Sequence, residues 1–487
     1  CKITARKAPH CTKPINNSIK SMEDGRNLGS KLLHASGEAN LPMALESLIV
    51  ASKTDQGRLK LASLGIVHET LILTRSLQHD RRHLSHLCLK LLRNLCAGNP
   101  VNQHDFIVGN GVEIVSHFIA IGEASEDPDI IRFGLQVLCN ISLGEEKHKR
   151  AIWGAFFPEK FLTISRQRRR KTCDPLCMLL HNCTEGIPQL LNDMLSNHRF
   201  PEILKEILLT ISSVGYEEHW VELFLSTISF NQRHFSRLFF SLSTPTNHYT
   251  PENAYLLRVL SELLNEQLTN IVVSEEFALG AFKIFKASAE SSSSSDSPLP
   301  TGNPETDVLG YSLSILRDIC AQDVEHNFKG EGRVDAVEKL LSSGLLTYLL
   351  KALGDLGPPL VVRKALKQSE IEDVIRDGSP YKGFRRDIVA VIGNCAYKRR
   401  EVQDEIRKGN GVVLLLQQCV ADEEHPFLRE WGIWCVRNLL EENDENQKIV
   451  AELELQKTLN VPELAQINLK VEIDELTKRA KLVNLPS

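Results

Sequence analysis

The stretch LRNLCA at positions 92–97 recurs 300 positions later as IGNCAY at positions 392–397. The match extends beyond these six residues without a gap, because Gln103 corresponds to Gln403. A stretch that recurs inside one chain is typical of repeat architectures. The sequence therefore predicts an array of similar units rather than a set of unrelated globular domains.

Fainter copies of the same unit surround three further asparagines. We call the asparagine of the recurring stretch the marker asparagine. Asn140 follows Asn94 by 46 residues, Asn182 follows Asn140 by 42, and Asn438 follows Asn394 by 44. These steps lie near the period of about 40–47 residues of armadillo and HEAT repeats. We predict an all-α fold, an armadillo/HEAT-like α-solenoid in which the helical repeats form a right-handed superhelix.

Each unit has a helix with apolar residues three or four positions apart, followed by a turn and a second helix. Leu84, Leu87, Leu91 and Leu95 show this spacing. A glycine pair such as Gly109 and Gly111 then breaks the chain, and the apolar run 112–119 begins the next helix. A helix that is apolar on more than one side is expected to lie between neighbouring repeats.

The predicted organisation has five segments. Helical periodicity persists between 200 and 285 without the asparagine marker, and we interpret that stretch as degenerate repeats. Residues 287–306 contain serines at 291–295 and then prolines, a composition typical of a flexible insert whose serines are open to phosphorylation. The segments are a flexible N-terminal segment 1–25, N-terminal armadillo-like repeats 26–286, the disordered insert 287–306, connecting helical repeats 307–379 and a C-terminal armadillo-like domain 380–478.

The composition limits the kinds of molecule that the chain is expected to bind and the cellular compartment in which it is expected to reside. A formal net charge of -5 gives the chain no overall positive field that would draw it to nucleic acid or anionic lipid. Its apolar runs are shorter than the roughly 20 residues of a membrane-spanning helix. Twelve cysteines in 487 residues are too dilute for a disulfide scaffold, which favours a reducing compartment. We expect a cytoplasmic protein with nuclear access. Whether a targeting segment precedes Cys1 is left open by the sequence.

The segments 384–394, FRRDIVAVIGN, and 426–441, PFLREWGIWCVRNLLE, resemble the C-terminal domain of the ataxin-10 family. The ending 461–487 is similar to plant members of that family. The resemblance implies a cytoplasmic, armadillo-repeat scaffold with two armadillo-like blocks and no enzymatic activity. It also implies roles in neuronal survival and cytokinesis in animals and in embryo development in plants.

The asparagines form the first group of candidate binding residues. In armadillo proteins that bind peptides, an asparagine on the third helix of each repeat hydrogen-bonds the backbone of an extended ligand. The other interpretation is that each asparagine binds the backbone of the neighbouring repeat, as buried amides often do. Such peptide binders also carry a tryptophan four positions earlier, and only Trp434 before Asn438 provides it. The group is Asn94, Asn140, Asn182, Asn394 and Asn438.

The C-terminal segment adds aromatic and basic candidates. Trp431, Trp434 and Arg437 are spaced so that each is a neighbour of the next on a helix surface. Tryptophan and arginine are favoured in the centres of protein interfaces, whereas tryptophans at this spacing are also common in cores. With Arg429, these residues are the predicted protein-binding site of the C-terminal domain.

A basic run is the basis of an alternative function. Its side chains would suit a nuclear-localisation or acidic-partner patch, and hence a nucleocytoplasmic transport adaptor or regulatory subunit. A solvated loop between repeats is the competing interpretation, and RNA binding is disfavoured because no aromatic side chain is interleaved with the run. The run is Arg166, Arg168, Arg169, Arg170 and Lys171.

No motif predicts catalysis or a cofactor. Phosphate-binding loops, dinucleotide fingerprints, nucleophile elbows and zinc-protease helices are absent from the sequence. Cys173, Cys177, His181 and Cys183 resemble a zinc set, but Cys173 and His181 lie roughly 12 Å apart along a helix axis. Asp174 and Pro175 are typical of an N-cap and a first helical residue, which would leave Cys173 outside that helix. We predict no metal, no cofactor and no enzymatic activity.

The expected partners are therefore other proteins, with no nucleic acid and no membrane. Whether copies of the chain associate into a homo-oligomer is left open by the sequence.

Overall fold

The computed structural model describes residues 40–77, 81–216, 219–230, 232–233, 235–243, 248–267, 271–291, 294–295, 297–322, 336–366, 378–453, 469–473 and 480–484. These residues divide into two units, Cys1–Ile228 and Ser229–Ser487, here unit 1 and unit 2. The boundary lies inside the predicted N-terminal repeats 26–286.

Unit 1 is helical throughout its described part. Its helices are α1 (Leu41–Ala51), α2 (Asp55–Ser63), α3 (Ile66–Ser76), α4 (Arg82–Cys96), α5 (Pro100–Val108), α6 (Gly111–Ala124), α7 (Pro128–Ser142), α8 (Glu146–Phe156), α9 (Glu159–Ser165), α10 (Arg170–Thr184), α11 (Pro188–Ser196), α12 (Phe200–Val214) and α13 (Trp220–Ser229).

Unit 2 consists of further helices and one hairpin. The helices are α14 (Phe235–Ser241), α15 (Pro251–Glu266), α16 (Glu275–Ala289), α17 (Pro304–Ala321), α18 (Ala336–Ser342), α19 (Leu345–Asp355), α20 (Leu360–Leu366), α21 (Phe384–Ala396), α22 (Arg400–Lys408), α23 (Gly411–Leu416), α24 (Leu428–Leu440) and α25 (Asp444–Glu452). Strands β1 (Leu469–Ile473) and β2 (Ala480–Asn484) pair antiparallel, with Leu469 opposite Asn484 and Ile473 opposite Ala480.

Helix starts carry capping side chains that the sequence supplies. Asn99 accepts a hydrogen bond from the Asn102 amide, and Pro100 follows as the first helical residue of α5. The same pairing of a capping side chain with proline starts α7, α15 and α17. Such a cap satisfies a backbone N–H that the helix leaves unpaired, and proline has no N–H to lose there.

One helix of each repeat packs against its counterparts in the neighbouring repeats. These ladder helices are α1, α4, α7 and α10 in unit 1, and α15, α17, α21 and α24 in unit 2, each in contact with the next within its unit. Side chains on both flanks of α4 and α21 are fully buried, as at Leu89, Leu92 and Ile392. Burying one such side chain stabilises the fold by roughly 1.5–3 kcal/mol. This repeated packing confirms the predicted all-α, armadillo-like fold, with the C-terminal hairpin as a local exception.

The glycines of the turns that follow α5 and α22 are required for space. The left-handed residue of both turns is asparagine, with φ of 55° at Asn110 and 57° at Asn410. A Cβ on Gly111 would lie 2.6 Å from the ring of Phe106, and one on Gly411 would lie 2.7 Å from Ile406 Cγ2. The predicted chain break is confirmed, and its cause is close packing of the second helix onto the first.

A buried glutamine in α5, and its counterpart in α22, joins the ends of two successive ladder helices. Gln103 Nε2 donates to the carbonyl oxygens of Cys96 at 3.0 Å and Asn140 at 2.9 Å. Gln403 Nε2 donates to the carbonyl oxygen of Asn438 at 2.8 Å and contacts that of Ala396 at 3.4 Å. Because these carbonyl oxygens lie at helix C-termini, the glutamine supplies donors that the helix itself lacks.

The start of α10 differs from the sequence prediction. The helix begins at Arg170, so Cys173 and Asp174 lie inside it and Pro175 is an interior residue. The predicted N-cap at Asp174 is therefore wrong. Cys173 and Asp174 are buried in the repeat packing, and this tertiary burial offsets the loss of the one backbone hydrogen bond that proline cannot make.

The segment predicted as a disordered insert, 287–306, has helical ends and defined contacts between them. The Ser295 amide donates to the Pro380 carbonyl at 2.9 Å, and the Lys382 amide donates to the Ser297 carbonyl at 3.0 Å. Thr301 Oγ1 donates to Asp307 Oδ1 at 2.8 Å, close to the start of α17. These bonds attach the segment to the turn that precedes α21.

No single helix in the described ranges is long and apolar enough to cross a membrane. The consecutive helices α5 and α6 reach that length and composition only as a pair bent by 77°.

We expect Gln403→Leu to lower the free energy of unfolding by about 1–3 kcal/mol, because it leaves buried carbonyl oxygens without a donor. The measurement is urea unfolding followed by helical circular dichroism. Gln417→Leu is the matched control, since Gln417 lies half-buried in unit 2. Equal midpoints for the two variants would contradict the proposed role of Gln403.

Candidate protein-interaction surface

The marker asparagines connect successive ladder helices. Asn140 Nδ2 donates to the Arg93 carbonyl at 2.8 Å, and Asn438 Nδ2 donates to the Gly393 carbonyl at 3.0 Å. In both cases the acceptor directly precedes the asparagine of the previous ladder helix. The recurring asparagine therefore sets the same register between neighbouring helices in both units.

The remaining marker asparagines also donate hydrogen bonds to groups of the preceding ladder helix. Asn394 Nδ2 donates to the Arg317 carbonyl at 3.0 Å, Asn94 Nδ2 donates to the Ile49 carbonyl at 3.5 Å, and Asn182 Nδ2 donates to Ser142 Oγ at 3.2 Å. Asn182 and Asn438 are buried, whereas Asn94, Asn140 and Asn394 are half-buried. Each amide thus donates a hydrogen bond to its neighbour, and peptide binding by the half-buried three stays a prediction.

Asp318 holds the asparagine position in α17, and the sequence pattern did not single it out. Its neighbour Arg317 supplies the carbonyl acceptor for Asn394, just as Arg93 does for Asn140. The signal was present, because RDICA at 317–321 parallels RNLCA at 93–97. The side chain of Asp318 is buried, and its Oδ2 has no hydrogen-bond partner among the described residues. Burial raises the pKa of this carboxyl group, while the Arg317 guanidinium opposes that change.

The ladder helix α24 exposes positions that its counterparts bury. Ile433, five residues before Asn438, is 54% exposed. The residues at the same position in α4, α7 and α21 are Leu89, Leu135 and Val389, each fully buried. Each of those helices is covered by the next ladder helix, whereas no further ladder helix follows α24 in the described part of the chain.

The aromatic and basic candidates of α24 lie partly together on this exposed side. Trp434 is 49% exposed, and the guanidinium of Arg437 lies 4.8 Å from its ring centre. Arg429 is exposed next to Glu430, at 3.4 Å, and Trp431 is half-buried. We call the exposed residues Arg429, Ile433, Trp434 and Arg437 the α24 face.

Acidic side chains surround the basic run that precedes α10. Arg166 pairs with Glu202 at 3.0 Å, Arg168 pairs with Glu206 at 2.6 Å, and Lys171 pairs with Asp129 at 3.5 Å. Arg169 is the N-cap residue of α10, and Arg170 donates to the Tyr216 carbonyl at 3.4 Å. A role of this run in transport stays a prediction.

The cysteines and histidine of α10 lie in the repeat packing. Cys173, Cys177 and Cys183 are buried free thiols, and burial raises the pKa of Cys183 to about 12. His181 Nδ1 lies 3.0 Å from Thr227 Oγ1, and burial lowers the pKa of His181. Within the described ranges, no group of three or more His, Cys, Asp or Glu side chains is placed to hold a metal ion.

Comparison with protein families places a known domain over the C-terminal ladder helices. The spinocerebellar ataxia type 10 protein domain matches residues 384–482. Ataxin-10 of Xenopus tropicalis is 24% identical over 404 residues, which cover 79% of this chain and 78% of that protein. Human ataxin-10 is 23% identical, with 79% of each chain covered.

A further relative matches over a shorter region. The ataxin-10 homolog of Dictyostelium discoideum is 36% identical over 105 residues, which cover 22% of this chain and 17% of that protein. Among solved structures, a designed armadillo repeat protein aligns with a TM-score of 0.24 and 13% identity, covering 85% of this chain and 99% of its own. The resemblance to the ataxin-10 family is confirmed by the sequence matches.

We expect Asp318→Asn to stabilise the protein at neutral pH and to have little effect in acid. A folded-state pKa above the ordinary value of 3.8 means that Asp318 stabilises the fold below that pH and loses this contribution as pH rises through the folded pKa. A tenfold change in the acid dissociation constant on folding corresponds to about 1.4 kcal/mol. Urea unfolding of both proteins from acid to neutral pH checks this, and a difference that does not grow with pH would contradict it.

Proposed function

Because this chain carries the ataxin-10 domain and is similar to ataxin-10 over most of its length, we propose that it is a non-catalytic protein-interaction scaffold. The repeat fold supports this proposal, since stacked helical repeats form extended surfaces suited to partner proteins. The cellular setting that we propose is cell division and development in the cytoplasm, which the family resemblance implies.

The observation that carries the proposal is the exposure of the α24 face. Ile433 lies at a position that is fully buried in α4, α7 and α21, and more than half of its surface is open. Phe427, just before the helix, is 67% exposed. Ile433 and Trp434 are neighbours in sequence and both are exposed, and grouped exposed apolar side chains mark interaction sites on folded proteins more often than single ones do.

The chemistry of this face suits the centre of an interface. Trp434 and Arg437 belong to the residue types that most often dominate binding energy. The guanidinium of Arg437 lies over the indole of Trp434, and such a cation–π contact is worth about 0.5–1 kcal/mol at an exposed site. Because the two side chains order each other, less side-chain entropy is lost when a partner covers them.

We expect Trp434→Ala, and separately Arg437→Ala, to remove partners from affinity purifications of the intact protein analysed by mass spectrometry. A loss of about 2 kcal/mol, typical of a residue at the centre of an interface, corresponds to roughly thirtyfold weaker binding. Such weakening depletes a partner through the washing steps. The face is exposed, so both variants are expected to stay folded and to lose no more stability than the roughly 0.5–1 kcal/mol of the cation–π contact.

Tyr397→Ala is the matched control for these variants. Tyr397 is 39% exposed at the end of α21, and the ammonium of Lys398 lies 5.2 Å from its ring centre. It therefore reproduces the aromatic and cationic pair of α24 on another helix. Retention of every partner by the folded Trp434 and Arg437 variants would overturn the assignment of the α24 face.

A further inference from the structure

A cluster of cations surrounds one aromatic ring on the ladder helices α4 and α7. The ammonium of Lys90 and the guanidinium carbons of Arg93 and Arg132 lie 4.9, 5.7 and 4.3 Å from the ring centre of Phe133. Phe133 is 5% exposed, and the three cations are half-buried. We call these four residues the Phe133 cluster.

Two of these cations have no anionic partner in the part of the chain that the structure describes. Arg93 donates to the Asn94 amide oxygen and, at 2.9 Å, to the Gln136 amide oxygen, both of which are neutral. Lys90 contacts the Phe133 ring. Among the described residues, neither Lys90 nor Arg93 forms an ion pair.

The nearby carboxylates are already occupied. Asp129 lies 3.0 Å from Arg132 and 3.5 Å from Lys171, so two cations share one anion. Asp127 lies 3.0 Å from His86 Nε2. The surface formed by α4, α7 and α10 therefore carries more positive than negative charge, although the chain as a whole is negative.

Crowding of like charges is visible in the ionisation of Arg93. Burial, and after it the positive charge of Arg132, lowers the pKa of the Arg93 guanidinium. Half-buried charges are screened by salt less than fully solvated ones. An anion that contacts both residues would remove their repulsion, which favours binding of a negative ligand at this place.

We propose that the Phe133 cluster binds an acidic segment of a partner protein in an extended conformation. This inference rests on the scaffold function and specifies the chemistry of one partner. Packed helices lie about 8–10 Å apart, and an extended chain advances about 3.3 Å per residue. A segment that crosses α4, α7 and α10 would thus meet a new helix roughly every third residue. Acidic side chains at that spacing would reach Lys90 and Arg93 on α4, Arg132 on α7 and Lys171 on α10.

A protein ligand fits this surface better than single-stranded nucleic acid. Sequence-tolerant binding of single strands combines cations with exposed aromatic rings on which bases stack. The ring of Phe133 is buried beneath its cations and offers no such platform.

The ladder helices α21 and α24 of unit 2 do not reproduce this pair of cations. The positions of Lys90 and Arg93 are occupied in α21 by Ala390 and Gly393. In α24 the first of these positions is Trp434. An acidic segment would therefore be held by the repeats of unit 1.

The test is a fluorescence-anisotropy titration of the full chain with a labelled peptide of about ten residues that carries glutamate at every third position and serine at the others. We expect salt-sensitive binding that weakens at least about tenfold in the double variants Lys90→Ala/Arg93→Ala and Lys90→Glu/Arg93→Glu. Arg75→Glu is the control for net charge, because Arg75 is exposed at the end of α3. Circular dichroism verifies that each variant is folded.

Two results would overturn the proposal. One is equal weakening by Arg75→Glu and by the cluster variants, which would indicate only net charge. The other is binding of a labelled single-stranded oligonucleotide through Lys90 and Arg93 with no binding of the peptide. The scaffold function is tested separately by the partner purifications on α24 variants, so its failure is distinguishable from failure of this titration.

Discussion

Side-chain amides that donate to the backbone of a neighbouring ladder helix hold several of the ladder helices in place. Asn140 and Asn438 make this bond with the previous helix, and Gln103 and Gln403 make it with the next one. An unmet backbone group would be costly in so apolar an interior. The amides therefore fix the register of helices that apolar packing alone would hold less specifically, since burial is not directional.

The same constraint explains where the proposed interaction surfaces lie. A ladder helix inside the array covers one flank with the previous helix and the other with the next, so its leucines are buried by the fold. The last described ladder helix, α24, keeps the pattern of apolar residues, but no further ladder helix follows it among the described residues, and Ile433 and Trp434 remain exposed. Within unit 1, α4 and α7 are each covered by the next ladder helix, and Lys90, Arg93 and Arg132 remain half-buried on them.

The fold could be read from the sequence because one unit recurs with its spacing intact, as the parallel of Gln103 with Gln403 shows. The sequence pattern did not reveal the repeat position of Asp318. An aspartate stands there in place of the marker asparagine, and 76 residues, rather than one repeat period, separate it from Asn394. The exposure of Ile433 could not be inferred, since its local pattern equals that of buried Leu89 and the difference depends on whether another ladder helix covers α24. The start of α10 was predicted wrongly at Asp174 because proline is usually a first helical residue. Tertiary burial outweighs that preference here and keeps Pro175 inside the helix. The Phe133 cluster could not be predicted from the sequence, because Lys90 and Arg93 belong to one repeat and Arg132 and Phe133 to the next.

The buried glutamines have a consequence for motion. Gln403 binds carbonyl groups of α21 and α24 at once, so neither helix end can open without breaking bonds that belong to the other. Local unfolding that costs little free energy is thereby confined to elements that these glutamine hydrogen bonds do not join. Amide hydrogens in the last turns of α4, α7, α21 and α24 would exchange together with their neighbours rather than singly, which makes a pair of repeats, and not one repeat, the smallest unit of opening.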